Sequence, residues 1–198
     1  MKAKILIEGG ASGNDSKQQQ IECRQGFRQL LGNLGLSRLP ELAACGSREN
    51  TFKRFKSAHK NATPGDYIAM LVDSEDPVAD IEKPWQHLTW EQPSGVTDDQ
   101  ALLMTTSMET WIAADREALR EHYGDKLSEK ALPSQQNMES RGRQDIFDNL
   151  RKATRQCKIP YAKGKESFLI LGKLDPRELE KHLPSFVRCR RILKEKLT

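Results

Sequence analysis

The sequence has 198 residues, 36% of them hydrophobic and 30% charged, with a mean hydropathy of −0.72. Such a chain can bury one sizeable core, and no apolar run in it approaches the ~18 residues that a membrane span requires. Residues 1–140 carry 16 Lys and Arg against 21 Asp and Glu, whereas residues 141–198 carry 16 against 7. This asymmetry is expected when one part binds cations and another a polyanion, although solvated basic helices would also produce it.

Glu8 interrupts the only apolar stretch near the start of the chain. That interruption excludes a signal peptide, so we expect a cytoplasmic protein without membrane association. The four cysteines are too far apart for a CxxC pair, and the four histidines show neither HxxxH nor HxH spacing. We therefore expect reduced thiols, and any bound metal should have oxygen ligands.

The first part of the chain alternates predicted strands with predicted helices. The strands are 3–7, 41–45 and the apolar run beginning at Tyr67, and the helices are 18–34 and 47–61. A strand–helix–strand–helix–strand order predicts an α/β fold with a mostly parallel sheet and helices on its faces.

The later elements are less regular. Residues 77–100 form an irregular insertion whose Trp85 and Trp90 should pack against the fold. A fourth strand follows at 102–106, then a helix that Ser107 caps.

The chain is predicted to end in a basic helix at 142–157, a short strand in "SFLIL" and two further helices. We divide it into a metal-binding core, residues 1–125, and a basic, mainly helical extension, residues 126–198, packed on the core.

The two best strands both end in acids, Glu8 after the first and Asp73, Glu75 and Asp76 after the third. Ligands of open α/β sheets bind at the carboxyl ends of the strands. Residues 73 and 75 point to the same side if strand geometry persists. Either group alone is equally typical of a turn, but together they predict an all-oxygen site for Mg²⁺ or Mn²⁺.

Two further features suit a phosphate-containing ligand. Gly9 and Gly10 leave room for a phosphate directly after Glu8. The basic residues that are candidates for contact with a nucleic-acid backbone lie on two predicted helices, Arg151, Lys152 and Arg155 on one, and Arg188, Arg190, Arg191 and Lys194 on the other. No pattern for base readout accompanies them, so DNA and RNA both remain open.

An apolar strand ending in Glu-Gly, followed by an Asp-x-acid motif on a later apolar strand, resembles the TOPRIM fold of topoisomerases, bacterial primases and overcoming-lysogenization-defect (OLD) nucleases. The stretches "LVDSEDP", "METW" and "ILGKLDP" are similar to a bacterial TOPRIM-like family related to the OLD nucleases. Its members often sit beside ABC-type ATPases, an arrangement that suggests phage defence.

The resemblance implies roles for particular residues. Glu8 would be a metal ligand or the acid/base group, and Asp73 a metal ligand. Glu75 replaces the second aspartate of the motif, so either Glu75 or Asp76 completes the ligand set. A further catalytic acid would be Glu109 rather than Asp115. A catalytic lysine would be Lys165, or Lys163 across Gly164, and both could contact phosphate.

These observations predict a Mg²⁺- or Mn²⁺-dependent nuclease, the effector of an anti-phage system that a partner ATPase controls. No GxxxxGK[ST] pattern occurs, so a partner would supply any nucleotide hydrolysis. Two alternatives stay open: a non-catalytic metal- and partner-binding subunit, and a nucleotidyl- or phosphotransfer enzyme. A homo-oligomer is also left open.

Overall fold

The structure, a computed structural model, describes residues 2–10 and 16–198. Its centre is a sheet of four strands, β1 (Ala3–Ile7), β2 (Glu41–Ala44), β3 (Tyr67–Asp73) and β4 (Ala101–Met104), in the order β2-β1-β3-β4. All three pairings are parallel. The predicted α/β class with a parallel sheet flanked by helices is therefore confirmed. All four strands end at the same edge of the sheet.

Helices connect and follow the strands. The α-helices are α1 (Ser16–Gly32), α2 (Arg48–Lys60), α3 (Pro84–His87), α4 (Met108–Ala114), α5 (Arg116–Tyr123), α6 (Arg143–Ala153), α7 (Lys165–Leu171), α8 (Pro176–His182) and α9 (Pro184–Leu197). Short 3₁₀ helices lie at Asp98–Gln100, Gly124–Lys126, Glu129–Ala131 and Met138–Ser140. None of the helices in the described ranges is long and apolar enough to cross a membrane.

Alternating residues of the strands face two separate cores. Ile5, Ile7 and Leu71 face the layer that contains α1 and α4 to α9. Leu6 and Met70 face the smaller layer, which is built from α2 and the insertion. Both faces of the sheet are buried, as the nearly continuous apolar sequence of β3 requires.

The predicted C-terminal extension shares the larger core with α1. Phe168 of α7, Phe186 of α9 and Phe27 of α1 belong to the same buried cluster. In the insertion, Trp85 is buried and Trp90 stacks on Phe52 with ring centroids 4.3 Å apart, so the expectation that both pack down is confirmed.

Two predictions about these elements are wrong. The "SFLIL" segment is part of helix α7, where Ser167, Phe168, Ile170 and Leu171 are buried at helical spacing. A short apolar run cannot be assigned to strand or helix by periodicity alone. Ser107 does precede α4, but its hydroxyl has no hydrogen-bond partner among the described residues and does not cap the helix.

Candidate active site

A cavity of about 240 Å³ opens at the edge of the sheet where the strands end. Its walls include Glu8 after β1, Asp73 at the end of β3, Glu109 in the first turn of α4 and Lys163 before α7. We call these four residues the carboxyl-end site. They lie far apart in the sequence and meet because parallel strands bring the segments that follow them to one edge.

Glu8 and Asp73 are in direct contact. The backbone N–H of Asp73 donates to Oε2 of Glu8 at 3.1 Å, and the N–H of Glu8 donates to the carbonyl of Leu71 at 2.9 Å. Asp73 Oδ1 accepts the N–H of Met108, the first residue of α4, at 2.9 Å. Asp73 therefore takes the place that the sequence assigned to Ser107, and it holds α4 against the end of β3.

Burial raises the pKa of both carboxyl groups. Glu8 has its pKa raised to about 7 by burial, although the Asp73 N–H and the charge of Arg48 act in the opposite direction. Burial, followed by the charges of Glu8 and Glu109, raises the pKa of Asp73 well above its usual range. Two acids held together away from water are costly to ionise, and a bound cation would relieve that cost.

Glu109 completes the acidic wall from the other side. It is buried, and its Oε1 accepts the hydroxyl of Tyr161 at 3.3 Å and lies 3.6 Å from Nζ of Lys163. The Lys163 side chain is 61% exposed and its ammonium lies over the ring of Phe147, 5.3 Å from the centroid. Lys163 thus has its charge at the mouth of the cavity.

Glycines shape the floor. Gly9 and Gly46 exchange backbone hydrogen bonds of 2.9 and 3.0 Å, which joins the turns after β1 and β2. Gly9 has φ +142°, and a Cβ there would lie 2.9 Å from Sγ of Cys23. Gly9, Gly10 and Gly164 all line the cavity, so its backbone is open to a ligand.

Glu75 and Asp76 do not line this cavity. Strand β3 ends at Asp73, and Glu75 has φ +70°, which breaks the alternation that would have turned both side chains to one side. Glu75 instead binds Arg48 Nη1 at 2.6 Å and Arg143 Nη1 at 2.7 Å. Asp76 is exposed.

The other predicted lysine and one predicted basic helix lie near the site or on its flank. Lys165 is exposed at the start of α7 and does not line the cavity. Arg151 and Lys152 are exposed in the last turn of α6, and Arg155 is exposed just beyond the helix, which ends at Ala153. Arg151 lies over Phe147 at 5.7 Å, on the ring that Lys163 also contacts.

Arg188 and Arg191 on α9 are placed elsewhere. Arg188 is 3% exposed and donates to the carbonyls of Ala101 and Asp98, at the amino-terminal end of β4. Both arginines also bind the Glu82 carboxylate, at 3.3 and 2.7 Å. Arg188 is buried and donates to acceptors within the protein, so its predicted role as a nucleic-acid contact is wrong.

The donor set suits a hard cation. No group of three or more His, Cys, Asp or Glu side chains in residues 2–10 and 16–198 is arranged to hold a metal ion together. Mg²⁺, however, usually keeps several waters and binds proteins through one or two carboxylates together with substrate phosphates. The contacting pair Glu8 and Asp73 supplies that arrangement beside an open cavity.

Sequence reasoning missed Arg48, Arg143 and Tyr161. Arg48 and Arg143 lower the pKa of Glu8 by their charge, so they stand close to the carboxyl-end site. They are 95 residues apart in the chain and bind the same carboxylate. Only Ser47, the N-cap of α2 next to Arg48, was a signal that this helix begins at the carboxyl end of a strand.

Comparisons with known proteins give one result. Residues 17–193 match a family described as "Domain of unknown function (DUF4276)". Neither the curated proteins nor the solved structures contain a match. The family match covers most of the chain, from α1 into α9. The chain therefore belongs to the DUF4276 family.

Proposed function

We propose that this protein is a Mg²⁺- or Mn²⁺-dependent nuclease that hydrolyses phosphodiester bonds of DNA or RNA. The observation that supports this most directly is the meeting of Glu8, Asp73, Glu109 and Lys163 around one cavity at the carboxyl ends of parallel strands. Three carboxylates and one cation beside glycine backbone suit a metal-bound phosphate and an attacking water.

In this proposal Glu8 and Asp73 hold the metal. A metal ion bound there would neutralise charge on the phosphate and lower the pKa of a bound water. The ammonium of Lys163 binds a non-bridging phosphate oxygen at the cavity mouth. Because Oε1 of Glu109 is occupied by Tyr161 and Lys163, its Oε2 is the atom that takes a proton from the attacking water.

The remaining parts of the chain fit a backbone-binding role. Lys163 and Arg151 flank Phe147 beside the cavity, an arrangement of cations and an aromatic ring that suits a single strand. The resemblance to TOPRIM-like proteins beside ABC-type ATPases adds a partner ATPase that would control the nuclease in anti-phage defence. A cytoplasmic location follows from that role.

Cleavage of labelled oligonucleotides tests the proposal. Purified protein would be incubated with single-stranded DNA, duplex DNA and RNA in Mg²⁺, Mn²⁺ or EDTA, with and without a candidate ABC-type ATPase partner. We expect metal-dependent cleavage that Glu8→Gln lowers at least about 100-fold. Glu121→Gln is the matched control, because Glu121 is exposed on α5 and its carboxylate pairs with Lys173 at the surface.

Three outcomes would contradict the proposal. Cleavage that persists in EDTA, or that Glu8→Gln leaves unchanged, would mean that another site or a contaminant cuts. Failure to cleave any polymer with the ATPase present would favour the non-catalytic binding subunit.

A further inference from the structure

A second charged group lies next to the carboxyl-end site. It consists of Glu75, Arg48 and Arg143, and we call it the Glu75 cluster. Arg48 is the first residue of α2, two residues after Gly46 of the cavity wall, and Glu75 is two residues after Asp73. The cluster is therefore tied at two points to the walls of the cavity.

The three side chains form a fork around one anion. Oε2 of Glu75 accepts Arg48 Nη1 at 2.6 Å, and Oε1 accepts Arg143 Nη1 at 2.7 Å. Each arginine gives one short bond to a different oxygen of the same carboxylate. Two guanidinium groups converging from two helices is also how proteins bind a phosphate.

The arginines retain binding capacity. The Arg143 side chain is 52% exposed, and the only hydrogen bond it makes within the described residues is to Glu75. Arg48 lies over Trp90, 4.7 Å from the ring centroid, and in the described part of the chain its side chain gives one hydrogen bond, from Nη1 to Glu75. The cations are held in place while their donors are incompletely used.

The anion between them sits in an unfavourable backbone conformation. Glu75 has φ +70°, in the left-handed region that costs a residue other than glycine roughly 1 kcal/mol or more. Its N–H donates to the carbonyl of Thr106 at 2.9 Å, which holds the turn beside the end of β4. The Glu75 side chain itself is 37% exposed, so a ligand from solvent can reach and displace it.

We propose that Arg48 and Arg143 bind a phosphate of the nucleic-acid strand adjacent to the one that is cleaved, and that Glu75 occupies this subsite in the free protein as an internal competitor. This proposal rests on the proposed function for its ligand. It reassigns Glu75, which the sequence predicted as a metal ligand. The arginines bind the substrate phosphate, and this phosphate must displace the Glu75 carboxylate from them.

The chain contains a matched control. Glu82 also lies between two arginines, Arg188 and Arg191, and we call these three the Glu82 cluster. Glu75→Gln and Glu82→Gln each remove one negative charge from such a fork, so both change the net charge of the protein equally. A difference between them reports the place of the fork and not the charge of the molecule.

Binding of a fluorescein-labelled single-stranded oligonucleotide, followed by anisotropy in EDTA, tests the proposal. We expect Glu75→Gln to tighten binding about 5-fold and Arg143→Ala to weaken it about 5-fold, with a salt slope lower by about 0.7. Glu82→Gln should change affinity less than about 2-fold. In the Arg48→Ala/Arg143→Ala background the gain from Glu75→Gln should disappear.

Equal effects of Glu75→Gln and Glu82→Gln on affinity would overturn the proposal. A gain in affinity from Glu75→Gln that persists in the Arg48→Ala/Arg143→Ala background would also overturn it. Thermal unfolding of each variant separates a lost subsite from a lost fold. Since no metal is present, the result is independent of cleavage. Expected binding changes without cleavage in Mg²⁺ would contradict the nuclease and leave the subsite standing, and cleavage without these changes would do the reverse.

Discussion

The Glu75 cluster and the Glu82 cluster contain the same charges, one carboxylate between two guanidinium groups, at different places in the fold. Arg188 of the Glu82 cluster is buried and uses Nε, Nη1 and Nη2 for internal acceptors. Arg143 of the Glu75 cluster is half exposed, and its side chain gives one hydrogen bond within residues 2–10 and 16–198, to Glu75. The Glu82 cluster therefore supports the structure, and the Glu75 cluster remains available to a ligand.

The cavities beside the two clusters also differ, in volume and in the residues that line them. The cleft beside the Glu82 cluster is larger, about 980 Å³, and Val78, Ile81 and Val187 contribute apolar walls. The carboxyl-end site has only about 240 Å³ but brings three carboxyl groups together, Glu8, Asp73 and Glu109, with Lys163 as the one cation on its wall. We therefore base the proposed site on its position at the strand ends and its clustered carboxyl groups and not on cavity volume.

The largest expected effect concerns the Glu82 cluster. Arg188→Ala should lower the free energy of unfolding by about 3–4 kcal/mol, because two backbone carbonyls lose their donor and a buried cavity remains. Arg191→Ala should cost less than about 1 kcal/mol, since Arg191 is 45% exposed and pairs at the surface. Urea titration measures both. Similar losses for the two variants would remove the distinction between the arginines of this cluster.

The next effect separates Lys163 of the carboxyl-end site from Lys165 outside it. Lys163→Ala should lower the cleavage rate about 100-fold, because its ammonium lies at the cavity mouth beside Glu109. Lys165→Ala should change the rate less than about 3-fold, since Lys165 is exposed and outside the cavity. Cleavage rates at saturating metal are compared. A larger loss of rate for Lys165→Ala would mean that Lys165, as expected from the sequence, is the catalytic lysine.

Glu139, in the cleft beside the Glu82 cluster, should make the free energy of unfolding depend on pH. Burial raises its pKa to about 7, although Ser185 donates to it from the start of α9. The folded state thus binds a proton on Glu139 more tightly than the unfolded state does. The stabilisation from this proton is complete below about pH 4.5 and is lost as pH rises through about 7. Glu139→Gln should remove roughly 2 kcal/mol of that change. Unfolding curves across this range test it, and parallel wild-type and variant profiles would refute it.

The smallest effect concerns α6. Arg151→Ala should weaken oligonucleotide binding about 2-fold and lower the salt slope by about 0.7, as expected for one phosphate contact beside Phe147. Arg191→Ala should leave both values unchanged, because Arg191 is paired with Glu82 and Glu195 away from the strand ends. Anisotropy at several salt concentrations distinguishes them. A slope change for Arg191→Ala would mean that α9 also contacts the strand.

Part of this architecture could be predicted from the sequence. The apolar runs of β1 and β3 and the acids directly after them carry a local signal, and parallel strands must bring those acids to one edge. Glu8 and Asp73 were therefore predictable as neighbours, and the structure places them in contact. Glu109 was placed at the start of a helix that follows a strand, and it lies in the same cavity.

The rest depends on geometry that no local pattern encodes. The direction of the Glu75 side chain depends on one left-handed residue, and Gly, Asn or Asp are the usual signals for that conformation. Arg48 and Arg143 meet only through tertiary packing, 95 residues apart in the chain. Arg188 appeared to be a surface cation because its basic neighbours gave no indication of burial.

In the proposed function, Glu8 and Asp73 form the cation site of this protein. Anomalous diffraction from crystals grown with Mn²⁺ tests it most directly, because it locates the ion without reference to activity. We expect a peak between the carboxylates of Glu8 and Asp73 that is absent in Asp73→Asn crystals. No peak there at saturating Mn²⁺, or a peak only at Glu82 and Glu139 in the other cleft, would contradict it.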